Sequence, residues 1–355
     1  PNFSGGGAEN SACELSNEFI KNNIHTEIIV IQDFGPTKKI LSKEIKIKNL
    51  NTRKMIFSLF KFSKYIIEKK PNYVITNLNH ASFIALLAKR LFKFRTRIII
   101  TFVNKINFNL QITNIKNLIY VYLIKFLIGS DTNIITITKG IKDDLINNWK
   151  FNKNLITVIY PPSDIDKINH LMNKKNDDPL FKNKKNKYIL SVGRLNKQKD
   201  HVTLIKAFKL VLEKFDVELI LIGEGDEFHK LKNLTKELNI ETKIHFRKYT
   251  LNPYYYMKNC DLFILSSRWE GFAIVLVNAL QCNIPIISTD CEYGPKEILE
   301  NGKWGRLSKV ANVKDLYLNI IEELKLDKNK KIDTKIRAEK FSLKNSAQNH
   351  LKLFN

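Results

Sequence analysis

Cysteine is scarce in this chain. Cys13, Cys260, Cys282 and Cys291 are the four thiols in 355 residues, and no two stand at CxxC spacing. A zinc or redox site of that kind has no basis, and reduced, buried thiols in a cytoplasmic protein are expected. Long apolar runs are missing too. The longest in the first half, Leu118 to Ile128, is broken by Lys125. It falls short of the roughly 20 residues that a bilayer span needs, so no transmembrane helix is expected. No secretory leader is recognised ahead of Pro1, which agrees with a cytoplasmic location. Gly223-Glu224-Gly225-Asp226 lacks the third glycine of a dinucleotide fingerprint, and no acidic residue at a suitable strand end replaces it. A hydride-transfer enzyme is thereby excluded.

Acidic residues are outnumbered, 35 against 59 Lys and Arg, for a net charge of +24. Such a balance suits nucleic acid, an anionic membrane surface, or neither. Lysine and asparagine run through the whole chain, which fits a solvated surface; no specific nucleic acid is expected, and a basic nucleic-acid-binding module is kept only as an alternative. The stretch from Arg53 to Lys70 sets Met55, Ile56, Leu59, Phe60 and Ile67 on one side and Lys54, Lys61 and Lys64 on another. That apolar side is expected to pack on a core, with an anionic bilayer as the other reading.

Strand-like runs at 27–31, 73–76, 97–102, 133–137 and 155–159 alternate with helical patterns near 8–22, 53–70, 80–93, 114–128 and 139–149. This order implies an α/β domain with a parallel, doubly wound sheet. Pro161 and Pro162 stop the pattern, and the polar stretch 163–187 is expected to be a linker. A second series follows, with strands at 188–192, 217–222, 243–246, 261–265 and 284–288 and helices at 201–214, 227–238 and 272–281. The expected division is a domain over 1–162 and another over 188–341, with a last helix at 342–355 that caps the second or crosses back to the first. Residues 1–20 read as a loop and helix, where a doubly wound half normally opens with a strand. The first strand is therefore expected to be missing, as in a fragment or a chain begun at the wrong codon.

Chemistry gathers where strands end. Glu270 and Gly271 close an apolar run and open a helix, which puts a carboxylate where open α/β sheets bind ligands. Gly294-Pro295-Lys296-Glu297 is a second loop-then-helix start whose free N–H groups suit an anion. Gly193, Arg194 and Lys199 follow the strand at 188–192. Arg grips phosphate through paired bonds and Lys adds a point charge, so the two suit a diphosphate. Gly5, Gly6 and Gly7 let backbone approach a ligand at the positive end of the helix from Ala8, although a flexible chain end reads equally well. Asp164-Ile165-Asp166 has the spacing of a metal-binding DxD. Two carboxylates alone make no magnesium cage, and no metal site is expected. His80 and His201 are expected to be structural.

Taken in order, GGGAE, GRLNKQKD, GEGD, SSRWEGFAIVLVNAL and STDCEYGPKEIL closely resemble glycosyltransferase family 4, the retaining transferases of the GT-B fold, over nearly the whole chain. The resemblance implies two Rossmann-like domains facing across a cleft, the first holding the acceptor and the second a nucleotide sugar. By it, Arg194 and Lys199 bind the donor diphosphate and Glu270 the sugar hydroxyls. Further donor contacts fall to Gly193, Glu224, Gly271, Phe272, Ala273, Ile274, Val275 and Asn278, with Gly6 and Gly7 closing from the other domain. It implies a front-face substitution that needs no protein nucleophile, metal or cofactor. The substrates it implies are a UDP- or GDP-linked hexose or N-acetylhexosamine and a lipid-linked or polysaccharide acceptor, in bacterial cell-surface glycan synthesis such as lipopolysaccharide or capsule. The basic N-terminal half would then dock peripherally on the anionic inner face of the cytoplasmic membrane.

Two positions depart from the family pattern. The second glutamate, eight residues after the first, is here Asn278. Asparagine still hydrogen-bonds but loses a charge-assisted bond worth about 1 kcal/mol more than a neutral one, so weaker donor binding is expected. The histidine that many relatives carry after the third strand is absent near Phe102-Val103-Asn104. A nucleotide-sugar-binding protein without turnover is the alternative that these departures raise.

Overall fold

The computed structural model describes residues 2–3, 7–52, 57–104, 106, 115–174, 178–181, 186–326 and 332–354, without the side chains of 115–117. Gly6, Lys54, Met55 and Ile56 lie outside them. Contacts divide the chain into two units, residues 1–162 with 343–355, and residues 163–342.

In the first unit, helix α1 (Gly7–Lys21) precedes β1 (Glu27–Val30) and β2 (Lys46–Asn49), which pair in parallel. Then α2 (Ser58–Lys69), β3 (Tyr73–Thr76), α3 (Asn79–Phe92), β4 (Arg97–Phe102), α4 (Ile115–Leu127), β5 (Asn133–Thr136), α5 (Lys139–Asn147) and β6 (Ile156–Val158) alternate. Strands β3 to β6 form one parallel sheet in that order. Ile98, Ile99, Ile100, Ile134 and Ile135 are buried in it, as strands covered on both faces require. Thr138 closes the start of α5 by accepting a hydrogen bond from the Ile141 amide at 3.1 Å. Strand β2 has no counterpart among the expected strands, because its KIKN carries one apolar residue and three that are polar.

The apolar face of α2 also differs from expectation. Leu59, Phe62 and Ile66 are buried, while Phe60 and Ile67 are exposed. The buried set follows one helical phase at spacings of three and four, and the expected face mixed two phases.

In the second unit, the stretch expected to be a linker carries α6 (Ile165–Met172). Asp164 caps this helix by accepting from the Lys167 amide at 3.0 Å, so the DxD spacing serves a helix start. There follow β7 (Lys187–Val192), α7 (His201–Val211), β8 (Val217–Ile222), α8 (Phe228–Glu237), β9 (Ile244–Arg247) and α9 (Pro253–Asn259). The unit continues with β10 (Leu262–Leu265), α10 (Ile274–Gln281), β11 (Ile286–Thr289), α11 (Pro295–Ile298), β12 (Arg306–Ser308), α12 (Val313–Lys325) and α13 (Lys335–Glu339). Helix α6 packs on α9 and α10, which makes it part of the fold. The six strands are parallel, in the order β12-β11-β10-β7-β8-β9. The chain winds outward from β7 to β9, then returns to place β10 on the other side of β7. Loops after β7 and β10 therefore diverge, and a crevice opens at that switch point.

The last helix, α14 (Leu343–Leu351), returns to the first unit. Ala347 joins Leu15 and Phe19 in a buried cluster, and Phe354 stacks on Tyr73 with ring centroids 4.6 Å apart. All four cysteines are free and buried.

His201, the first residue of α7, is 1% exposed, and its Nδ1 has no hydrogen-bond partner among the described residues. Burial, helped by the charge of Lys199, pushes its pKa down to about 3. The unfolded chain takes up this proton near pH 6.5, so between there and about pH 3 it binds more protons than the folded one. Stability is then lost as the pH falls, by about 1.4 kcal/mol per unit from this group. Urea midpoints measured from pH 7 to pH 5 should fall less steeply for His201→Gln than for the parent. Equal slopes would show that another group titrates.

Candidate functional site

The crevice between β7 and β10 is built from two loops that hold each other. After β10, Ser266 to Ala273 lead into α10; after β7, Gly193 to Asp200 lead into α7. Asp200 caps α7 through Thr203, and its carboxylate also meets Arg268 at 3.0 Å, which ties the second loop to the first. Ser266 donates to the Lys199 carbonyl at 2.7 Å, and the Arg268 amide donates to the Gln198 carbonyl at 2.8 Å. Thr289, at the end of β11, donates to the Ser267 carbonyl at 2.5 Å.

At the centre stands an ion pair. Lys199 Nζ lies 2.5 Å from Glu270 Oε1, with the two side chains 15% and 7% exposed. Ser267 Oγ donates to the same oxygen at 2.6 Å. Glu270 Oε2 accepts no hydrogen bond from the described residues. The carboxylate is thus held by one oxygen, and the other is open to accept a further hydrogen bond. Charges this enclosed are attracted strongly, and stripping one partner from such a pair costs about 3–5 kcal/mol. Cys291 sits close enough that burial, then the Glu270 charge, pushes its thiol up to about 12. It remains protonated at neutral pH and takes no part as a thiolate.

Glycines let the loops close on one another. The Lys199 stem crosses Gly193, where an added Cβ would stand 3.1 Å from Lys199 Cε. Gly223 has φ +151°, and a Cβ there would come within 2.0 Å of the Gly193 carbonyl oxygen. Only glycine fits that approach. The GEGD turn thus has a structural task. The exposed Glu224 contributes its backbone carbonyl, which accepts from the Leu195 amide at 2.9 Å. The segment fastens the Arg194 loop.

Arg194 is exposed, and its guanidinium has no ion-pair partner among the described residues. A ready cation therefore flanks the paired one. Opposite, Gly271, Phe272 and Ala273 turn into α10, with Ala273 in the left-handed region at φ 66°. Such strain in a residue with a side chain gathers at functional sites. The first-turn amides of Ile274 and Val275 have no intrahelical partner, and the helix dipole favours an anion there. Asn278, one turn further on and half-buried, accepts from Ser163 Oγ at 3.2 Å through its Oδ1.

One corner of the second unit thus gathers Gly193, Arg194, Lys199, Glu224, Glu270, Gly271, Phe272, Ala273, Ile274, Val275 and Asn278. Gly7 begins α1 in the first unit, and Gly6 lies outside the described residues. Sequence reasoning missed Ser267, Ser163 and Thr289, whose hydroxyls carry no spacing signal. Ser266 and Ser267 do follow the end of a buried strand, the one hint that they face the site.

Comparison with known proteins identifies the family. The profile for glycosyl transferases group 1 matches residues 172–341, and that for Glycosyltransferase Family 4 matches residues 5–167. Over 302 residues the chain is 32% identical to the N-acetylgalactosamine-N,N'-diacetylbacillosaminyl-diphospho-undecaprenol 4-alpha-N-acetylgalactosaminyltransferase of Campylobacter jejuni, covering 84% of this chain and 80% of that one. It is 26% identical to the amylovoran biosynthesis glycosyltransferase AmsD of Erwinia amylovora, covering 83% and 80%. Among solved structures, a glycosyltransferase of Rickettsia africae superposes with a TM-score of 0.82 at 19% identity, covering 99% of this chain and 95% of that one. HepE of Anabaena, solved with UDP, gives 0.82 at 19% identity, covering 99% and 97%. These two likenesses show the fold, a GT-B pair of Rossmann-like domains. Two family profiles over nearly the whole chain and a relative at 32% identity establish that the chain belongs to the family 4 glycosyltransferases.

Proposed function

We propose that this glycosyltransferase moves a hexose or N-acetylhexosamine from a UDP- or GDP-sugar to a lipid-linked or polysaccharide acceptor, with retention and without a metal. The observation that carries the reading is the corner where Glu270, held by Lys199 and Ser267 on one oxygen, lies beside the exposed Arg194, unpaired among the described residues, and the start of α10. It is further supported by the Campylobacter relative, named for a diphospho-undecaprenol acceptor, and by HepE, solved with UDP. The diphosphate sits between Arg194 and the first amides of α10, and a sugar hydroxyl donates to Glu270 Oε2. As the bond from the anomeric carbon to the diphosphate oxygen breaks, charge grows on that oxygen. Arg194, Lys199 and the helix amides stabilise it in a site already ordered for it. The acceptor hydroxyl attacks the same face and passes its proton to the departing phosphate, so no protein base is required.

A docking surface on the first unit accompanies this reading. No described helix is long and apolar enough to cross a membrane. Yet Phe60 on α2 is 70% exposed, and Tyr122 and Phe126 on α4 are 65% and 86% exposed. Helix α3 packs against both and carries Phe92, whose ring lies 6.2 Å from that of Phe60. Lys64, Lys93 and Lys125 are exposed on the same three-helix layer. Aromatic side chains flanked by lysines suit an anionic bilayer surface.

Calorimetry with UDP- and GDP-sugars should show selective binding by the parent. Arg194→Ala should weaken it at least about tenfold, as the loss of a charged hydrogen bond implies; undiminished affinity in that variant would remove the diphosphate from this corner. Asn278→Glu restores a charged acceptor while keeping an oxygen for Ser163, and should raise kcat/KM by up to about fivefold. A fall would mean that Asn278 is itself preferred. Co-sedimentation with vesicles containing phosphatidylglycerol should exceed that with neutral vesicles and drop about tenfold for Phe126→Ser. Equal binding to both vesicle types would refute the docking surface.

A further inference from the structure

Arg337 on α13 is charged and 7% exposed, a costly combination unless its donors are satisfied. Its Nε donates to the Ile298 carbonyl at 2.8 Å, and its Nη2 donates to the Glu297 carbonyl at 2.6 Å. Both carbonyls stand at the end of α11, where a helix runs short of donors of its own. Glu300 adds a carboxylate oxygen 4.0 Å from Nη1. One side chain therefore fastens α13 to the end of α11.

The same guanidinium lies over the ring of Phe341, 5.0 Å from its centroid, as a cation does on an aromatic face. Phe341 is buried, and its ring meets that of Phe272 at 5.5 Å between centroids with the planes 65° apart. Phe272 directly precedes Ala273, the residue at φ 66° from which α10 starts. The Phe272 backbone is held from another side. Gly294 opens α11 at φ +91°, and a Cβ there would collide with the Phe272 carbonyl oxygen. Phe272 is thus fixed twice, its ring by Phe341 and its carbonyl by Gly294. Arg337 joins the two holds, because it bonds the end of α11 and stacks on Phe341. The contacts close a circuit from Phe272 through Gly294, α11, Arg337 and Phe341, all within the second unit. A strained residue such as Ala273 persists when its surroundings over-determine it, and this circuit does so.

We propose that Arg337 is a positioning residue for the donor corner: through Phe341 and α11 it fixes Phe272, and with it the direction of the first amides of α10. The inference rests on the reading of that corner as the diphosphate site. Lysine keeps the charge but has neither the forked donors nor the flat face. Arg337→Lys should bind UDP or GDP, whichever the parent prefers, at least about fivefold more weakly, since slight misplacement of binding groups is costly. Hydrogen exchange of the Leu276 amide, which donates to the Ala273 carbonyl at 2.9 Å, should quicken at least about tenfold. Phe341→Leu leaves both carbonyl bonds of Arg337 in place and should show the same two changes, so it carries the test if Arg337→Lys does not fold. Ile320→Val, in the core of the same unit and outside the circuit, should lower stability and show neither. Parent-like nucleotide affinity in the folded variants would overturn the proposal, as would losses that Ile320→Val reproduces. Arg194→Ala, measured alongside, separates the two claims. If it binds nucleotide as the parent does, the diphosphate reading fails and the inference with it; if it binds weakly while Arg337→Lys binds as the parent does, the positioning role fails alone.

Discussion

The contact between Lys199 and Glu270 joins the loops that follow β7 and β10, the two strands at which the sheet reverses its winding. At that reversal each loop leads to a helix on its own side, and one backbone hydrogen bond, from the Arg268 amide to the Gln198 carbonyl, joins them directly. A charge pair with little exposure adds to that tie, and everything else at the site is arranged to preserve it. Ser267 fixes the rotamer of Glu270, Ser266 holds the Lys199 backbone, and Thr289 holds Ser267. The carboxylate divides its oxygens, one held by the lysine and serine and one left open among the described residues.

Rigidity at the site has a second source, in backbone packed against backbone. Gly223 leaves room for the Gly193 carbonyl where no side chain fits, and the Leu195 amide donates to the Glu224 carbonyl. The loop carrying Arg194 is therefore fixed from below, while its guanidinium stays exposed and unpaired among the described residues. A cation held this way loses little freedom when an anion arrives, which is how preordered charge favours a transition state over a ground state.

The sequence carried the fold through the alternation of buried strands and helices, and it carried the site through residues that stand where strands end. Glu270, Arg194 and Lys199 are legible because their positions follow from a short apolar run and a glycine. What escaped reading has physical reasons. Strand β2 has one apolar residue in four, helix α6 hides in a polar stretch behind two prolines, and the phase of α2 is blurred by Phe60 and Ile67 on its outer face. The glycines of GEGD show in the sequence that backbone approaches closely there, but not that the Gly193 and Leu195 backbone is what requires the space. Hydroxyls such as Ser163 and Ser267 act through three-dimensional neighbours alone.

A crystal structure of the protein with an intact UDP- or GDP-sugar puts the account at greatest risk. The diphosphate should lie on Arg194 and the first amides of α10, with a sugar hydroxyl on Glu270 Oε2 and the Lys199 contact to Oε1 kept. A donor seated elsewhere, or one that displaces Lys199 from Glu270 and leaves Arg194 untouched, would contradict it.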